Sequence, residues 1–277
     1  KITGNHGQGA ETIMHAEAAF LQGRFTDAHI ALERAYAQIE GNGQENMALC
    51  CDFLARRLSL FTDVGQRAKL EKRREQLLAH HNVSWLNLWN AAAAYHHALL
   101  GSTDSIPEAY RRHRLFTVRT LAPGKPMIEM IENQVYLAQG EYAHVIGRSE
   151  GLLAQCEAMH YALVALHIRI QTAAAYEMLG KHGEARALLE RALADAEPDG
   201  FALPFAENFR YLEPLLTERL QSGLTGRIEQ QGQDALAVER PLDLPTPELP
   251  AKAETFPQMR SRSASMPSPV RALTRST

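Results

Sequence analysis

Apolar side chains recur along this chain at the three- and four-residue spacing of a helix face. Leu152, Leu153, Cys156 and Met159 form one such stripe, and Leu166, Ile170, Ala173, Ala174 and Met178 another. The positions between them carry Ala, Glu, Arg and Gln, all strong helix formers. Runs that alternate apolar and polar residues, as a half-buried strand requires, are missing. The pattern predicts an all-α fold.

Short Gly-containing turns interrupt the helices at related places. Leu21-Gln22-Gly23-Arg24-Phe25-Thr26-Asp27-Ala28, Ala138-Gln139-Gly140-Glu141-Tyr142-Ala143-His144-Val145 and Leu179-Gly180-Lys181-His182-Gly183-Glu184-Ala185 share a plan. A Gly is followed two places on by a ring and five places on by a small or apolar residue. Gly ends the first helix because it enters the left-handed cap conformation cheaply. The small residue lets the second helix come close. Gly140 and Gly180 are 40 residues apart, and stepping by about 40 from Gly23 reaches Asp63 and then Asp104. Five helix pairs are predicted at 9–40, 45–80, 85–120, 126–160 and 166–197, with a further helix at 205–222.

Pro and Gly usage divides the chain. No Pro occurs in residues 1–106, seven of the thirteen fall between Pro241 and Pro269, and no Gly follows Gly232. Residues 1–222 therefore read as a packed helical-repeat domain. Residues 223–277 read as a linker and tail, mostly disordered, too poor in apolar surface to order themselves. The formal charge is −3 overall and −5 over residues 1–240, while Arg260, Arg262, Arg271 and Arg275 follow the last acid, Glu254. That balance argues against direct binding of DNA by the folded part. Cys50, Cys51 and Cys156 are no disulfide scaffold, and neither a membrane span nor a secretory leader is visible. A cytoplasmic setting is expected.

The Gly-x-aromatic-x-x-Ala-x-x-x-Leu-x-x-Ala pattern resembles tetratricopeptide (TPR) helix pairs, whose usual period is about 34. The stretch from Ala187 to Phe205, with Glu197-Pro198-Asp199-Gly200-Phe201-Ala202-Leu203-Pro204-Phe205 at its end, resembles the close of the helical-repeat (MalT-like) sensor domain in the large ATP-binding LuxR-type transcriptional regulators. The resemblance spans residues 9–222. It implies a right-handed superhelix of TPR-like pairs with a concave face lined by first helices. It also implies a non-catalytic sensing module that binds a small-molecule effector or a protein partner in that groove, and it allows a homo-oligomer. No cofactor is implied for this part of such a regulator. Aligning each first helix on its Gly places Phe20, Arg57, Met130, Gln134, His167, Ile170 and Glu177 on the groove. The family also carries a phosphate-loop ATPase domain upstream and a helix-turn-helix downstream. Gly4-Asn5-His6-Gly7-Gln8-Gly9-Ala10-Glu11 has glycines but lacks the Lys and Ser/Thr of a phosphate loop. The expectation is an excised middle domain, or a protein without its output module.

Other motifs favour plain readings. Gly147-Arg148-Ser149-Glu150-Gly151 matches a hydrolase nucleophile elbow, which needs a strand-turn-helix that the repeat denies. Glu141/His144 and Glu157/His160 have the spacing of di-iron helices but read as surface pairs. Trp85 and Trp89, one helical turn apart, read as core, as do Tyr136 and Tyr176. The basic runs Lys69–Arg74 and Arg111–Arg114 read as solvated outer helix faces. Arg262-Ser263-Ala264-Ser265-Met266-Pro267 has the form of a phosphoserine docking motif. The competing reading of the chain is thus a stand-alone TPR scaffold with a phospho-regulated tail, and a hydrolase built on Ser149 ranks behind both.

Overall fold

The computed structural model describes residues 7, 9–39, 44–62, 67–80, 82–114, 124–217 and 223–237. All regular structure among them is helical. The order is α1 (Ala10–Leu21), α2 (Phe25–Ile39), α3 (Glu45–Leu58), α4 (Arg67–His80), α5 (Val83–Leu100), α6 (Glu108–Arg111), α7 (Lys125–Gln139), α8 (Tyr142–Ala158), α9 (Ala162–Met178), α10 (His182–Ala196), α11 (Leu203–Ala206), α12 (Phe209–Thr217) and α13 (Gly223–Ala237), with a 3-10 turn at Thr103–Ser105.

The turn glycines take the conformation their role demands. Gly23, Gly140 and Gly180 have φ of 76°, 78° and 72°, in the left-handed region that costs other residues energy. Gly101 closes α5 in the same way at φ 72°, three residues before the Asp104 predicted for that turn. Elsewhere side chains set the ends. Asn82 Oδ1 accepts the N–H of Trp85 to cap α5, and Pro126 sits in the first turn of α7, where its missing N–H costs nothing.

The first helices α1, α3, α5, α7 and α9 pack one on the next in a row, and α2, α8 and α10 lie along one side of it. Ala173, Ala174 and Ala175 on α9 are fully buried, so small side chains set the close approach of the neighbouring helices. The third pair departs from prediction. Its second helix is only α6, and residues 115–123 lie outside the described set.

The chain then turns back across the row. Residues 201–217 cover its other side, with α11 against both α1 and α9, and α12 against α9. Leu203 and Ala206 join the core of the first three pairs, while Phe205, Phe209 and Leu212 join that of the last two. Residues 223–237, expected from their sequence to belong to the linker, form helix α13 on α11 and α12. The tail from 238 onward, its serine motif included, lies outside the described residues, as does half of the Gly4–Glu11 segment. No helix among the described residues is long and apolar enough to cross a membrane.

Candidate functional site

Six of the seven residues predicted to line a groove are brought to one side of the row and buried there. Phe20, Arg57, Met130, Gln134, His167 and Ile170 are each no more than 3% exposed. The expectation of an open concave face is corrected, because residues 201–217 fill that face. Glu177 is apart from the rest, at the end of α9, where His182 Nδ1 lies 2.9 Å from its carboxylate.

Arg57 is the centre of the buried set. Its Nε and Nη2 donate to the two carboxylate oxygens of Glu207 at 2.7 and 3.1 Å, and Nη1 donates to Glu17 at 2.6 Å. The rings of Phe20, Phe53 and Tyr95 surround the guanidinium at 4.8, 5.6 and 5.9 Å. Burial alone would lower its proton affinity, but the Glu207 and Glu17 carboxylates hold it above its ordinary value. Tyr95 donates to Glu207 at 3.0 Å, and His167 Nδ1 is 3.5 Å from the same hydroxyl. Burial, with Arg57 nearby, pushes His167 down to about 3, so it is neutral. One residue further on, Asn208 accepts a hydrogen bond from Gln134 at 3.0 Å, and Gln134 in turn accepts one from Gln171 at 2.9 Å. Together these groups fasten the crossing segment to the helical row.

Tyr95, Gln171, Glu207 and Asn208 were not found from the sequence. Glu207 left one usable signal: it is a lone acid between the apolar residues Phe205, Ala206 and Phe209.

A second buried group has poorer compensation. Arg56 stacks on Trp89 at 4.4 Å and is fully buried, yet among the described residues its three nitrogens have no hydrogen-bond acceptor. Burial brings it down to about 10. Beside it, Asp52 accepts from Tyr36 at 2.8 Å and faces Arg73 Nε at 3.3 Å; burial raises it to about 6 against the pull of Arg73. Arg73 therefore belongs to a half-buried charge network and is no free surface cation. Asp52, Tyr36 and Arg73 line a cavity of about 350 Å³ between α2, α3 and α4.

An open feature lies on the opposite side of the row. A groove of about 1040 Å³ runs between α8 and α10 over α9 and ends at Asp199 and Phe201. Leu153, Tyr161, Leu163, Tyr176, Leu188 and Phe201 reach it half-buried, so its walls are largely apolar. Glu150, Glu157, His160, Arg191 and Asp195 stand along it, and Arg169 donates to Asp195 at 2.8 Å. Ser149 lies at one end inside α8, and its hydroxyl donates to the Ile146 carbonyl at 2.8 Å, an ordinary helical bond. The strand that a nucleophile elbow requires does not precede it.

The other predictions divide. Trp89 is fully buried, as expected, whereas Trp85 is only partly so. Tyr136 and Tyr176 are half-buried, which corrects their assignment to the core. Tyr136 stacks with His113 at 3.7 Å and with His144 at 5.1 Å. Among the described residues no group of three His, Cys, Asp or Glu is placed to hold a metal ion. No protein-family model matches this chain, and no curated protein matches it significantly.

Proposed function

We propose that this chain is a recognition module without catalytic activity: a right-handed superhelix of TPR-like helix pairs serving as the sensing and regulatory part of a LuxR-type transcription regulator. The spacing of the left-handed glycines supports the repeat. Gly101 lies 39 residues before Gly140 and 78 after Gly23, while Gly180 follows Gly140 by 40. The observation that carries the function is the groove between α8 and α10. It is long, apolar along its walls and charged along its edges, which is the form that receives a helical or extended polypeptide. At 1.5 Å per residue its lining from Ala162 to Tyr176 on α9 gives it a length of about 20 Å. The face first expected to recognise a ligand is filled by the chain's own residues, which leaves recognition to the outer groove.

Leu153→Arg places a charge on the apolar wall at a partly exposed position. In a strain carrying that change in the parent protein, the transcript profile is expected to match that of a strain lacking the gene, with protein level unchanged. The coding sequence is expected to supply a phosphate-loop domain upstream and a helix-turn-helix downstream. A normal profile in the Leu153→Arg strain would overturn the role of the groove, and flanks coding for neither domain would overturn the regulator reading.

A further inference from the structure

The rim of the α8–α10 groove carries more negative charge than its own cations neutralise. Arg169 is paired with Asp195, and among the described residues Glu150, Glu157 and Asp199 have no cation partner. Arg191 is the other rim arginine. The acidic end is where Asp199 and Phe201 close the groove, beside helix α13. Arg227 of α13 reaches that turn, its Nη2 lying 3.5 Å from where a Cβ on Gly200 would stand. Arg227 stands near the start of α13, and the chain leaves that helix ten residues further on, at Ala237.

The sequence C-terminal to α13 has the complementary chemistry. After Glu254 there are four arginines and no acid, and Phe256, Met259, Met266, Val270 and Leu273 are interspersed with Arg260, Arg262, Arg271 and Arg275. At up to about 3.5 Å per residue, the 23 residues from Ala237 to Arg260 reach as far as about 80 Å, more than three times the length of α13. We infer that residues 256–275 are an intramolecular ligand of the α8–α10 groove, with arginines against Glu157 and Asp199 and apolar side chains against Leu153, Leu163 and Leu188. Phosphate on Ser263 or Ser265 would put nearly two negative charges beside those carboxylates and release the segment. The inference rests on the groove being the recognition surface and names what holds it when no partner does.

The test uses the full chain with the photo-crosslinking residue p-benzoylphenylalanine in place of Leu153, followed by mass-spectrometric mapping of intramolecular adducts. Adducts are expected in residues 256–275, reduced at least tenfold by the double change Glu157→Lys/Asp199→Lys and likewise by Ser263→Asp/Ser265→Asp. A probe in place of Ile30, exposed on α2, serves as the control and is expected to give no adduct in the tail. Adducts only to other segments, equal labelling from position 30, or labelling indifferent to the two lysines would overturn the inference. Circular dichroism on each variant separates loss of the fold from loss of docking. Failure here with a null phenotype for Leu153→Arg removes the internal ligand and leaves the recognition groove standing.

Discussion

Arg57 and Glu207 are 150 residues apart in the chain and meet through two hydrogen bonds, both side chains almost wholly buried. A paired buried charge contributes little net stability, but breaking the pair strands the remaining ion. Arg57→Met or Glu207→Leu alone is therefore expected to cost about 3–5 kcal/mol. The double change should cost clearly less than the two combined. A urea-unfolding double-mutant cycle measures this, and additive losses would mean the pair is not coupled.

Gln134 and His167 are buried beneath the crossing segment, so their removal is expected to be felt. Gln134→Ala deletes the bond to Asn208 and leaves buried groups unpaired, at a cost of about 1–3 kcal/mol. His167→Ala should destabilise as well. Glu157→Ala and Arg191→Ala on the groove edge should stay within about 0.5 kcal/mol. Melting curves on the four variants give the ranking, and neutral changes at 134 and 167 would show that side to be open.

Two glycines of α13 should respond in opposite ways to alanine. A Cβ on Gly232 would stand 2.3 Å from the Phe209 ring, whereas one on Gly226 meets nothing within 4 Å. Gly232→Ala is expected to destabilise by about 1–3 kcal/mol through overpacking. Gly226→Ala is expected to stabilise by up to about 1 kcal/mol through helix propensity. Thermal unfolding of each variant decides it.

These glycines also explain what the sequence could not disclose. The turns at Gly23, Gly140 and Gly180 were legible because a left-handed cap demands Gly locally. Helix α13 was not, because Gly223, Gly226 and Gly232 lower its propensity, and the reason for Gly232 is a ring 23 residues earlier. The alignment on glycines placed Arg57, Gln134 and His167 on the correct side of their helices. It could not show that Glu207 and Asn208 return to cover them, since that contact is set by the tertiary path of residues 197–209. Tyr136 was misread because its repeat position says which neighbours it faces, not how much of the ring they cover.

Acid should weaken the fold in a defined way. Burial holds both His96 and His167 down to about 3, helped by Arg56 and Arg57 respectively. The unfolded chain takes up these protons near pH 6.5 and the folded chain does not. Each histidine therefore contributes stability that is present above pH 6.5 and lost toward pH 3, at about 1.4 kcal/mol per pH unit. Asp52, raised to about 6, acts in the opposite direction between pH 4 and 6, where the folded state holds the proton more tightly. The three groups together predict a slope of about 1.4 kcal/mol per unit in that window. His167→Gln should reduce the measured slope of unfolding free energy by the same amount, and an unchanged slope would contradict a buried neutral His167.

Residues 203–212 seal the inner side of the helical row as part of its core. Native-state hydrogen exchange measures this directly, because amides in a core segment open only with the whole fold. The hydrogen-bonded amides of residues 205–211 are expected to exchange in the slowest class, together with those of 165–175 in α9. Rapid exchange of 205–211 while α9 remains protected would contradict the seal and return the inner face to the role of an open binding groove.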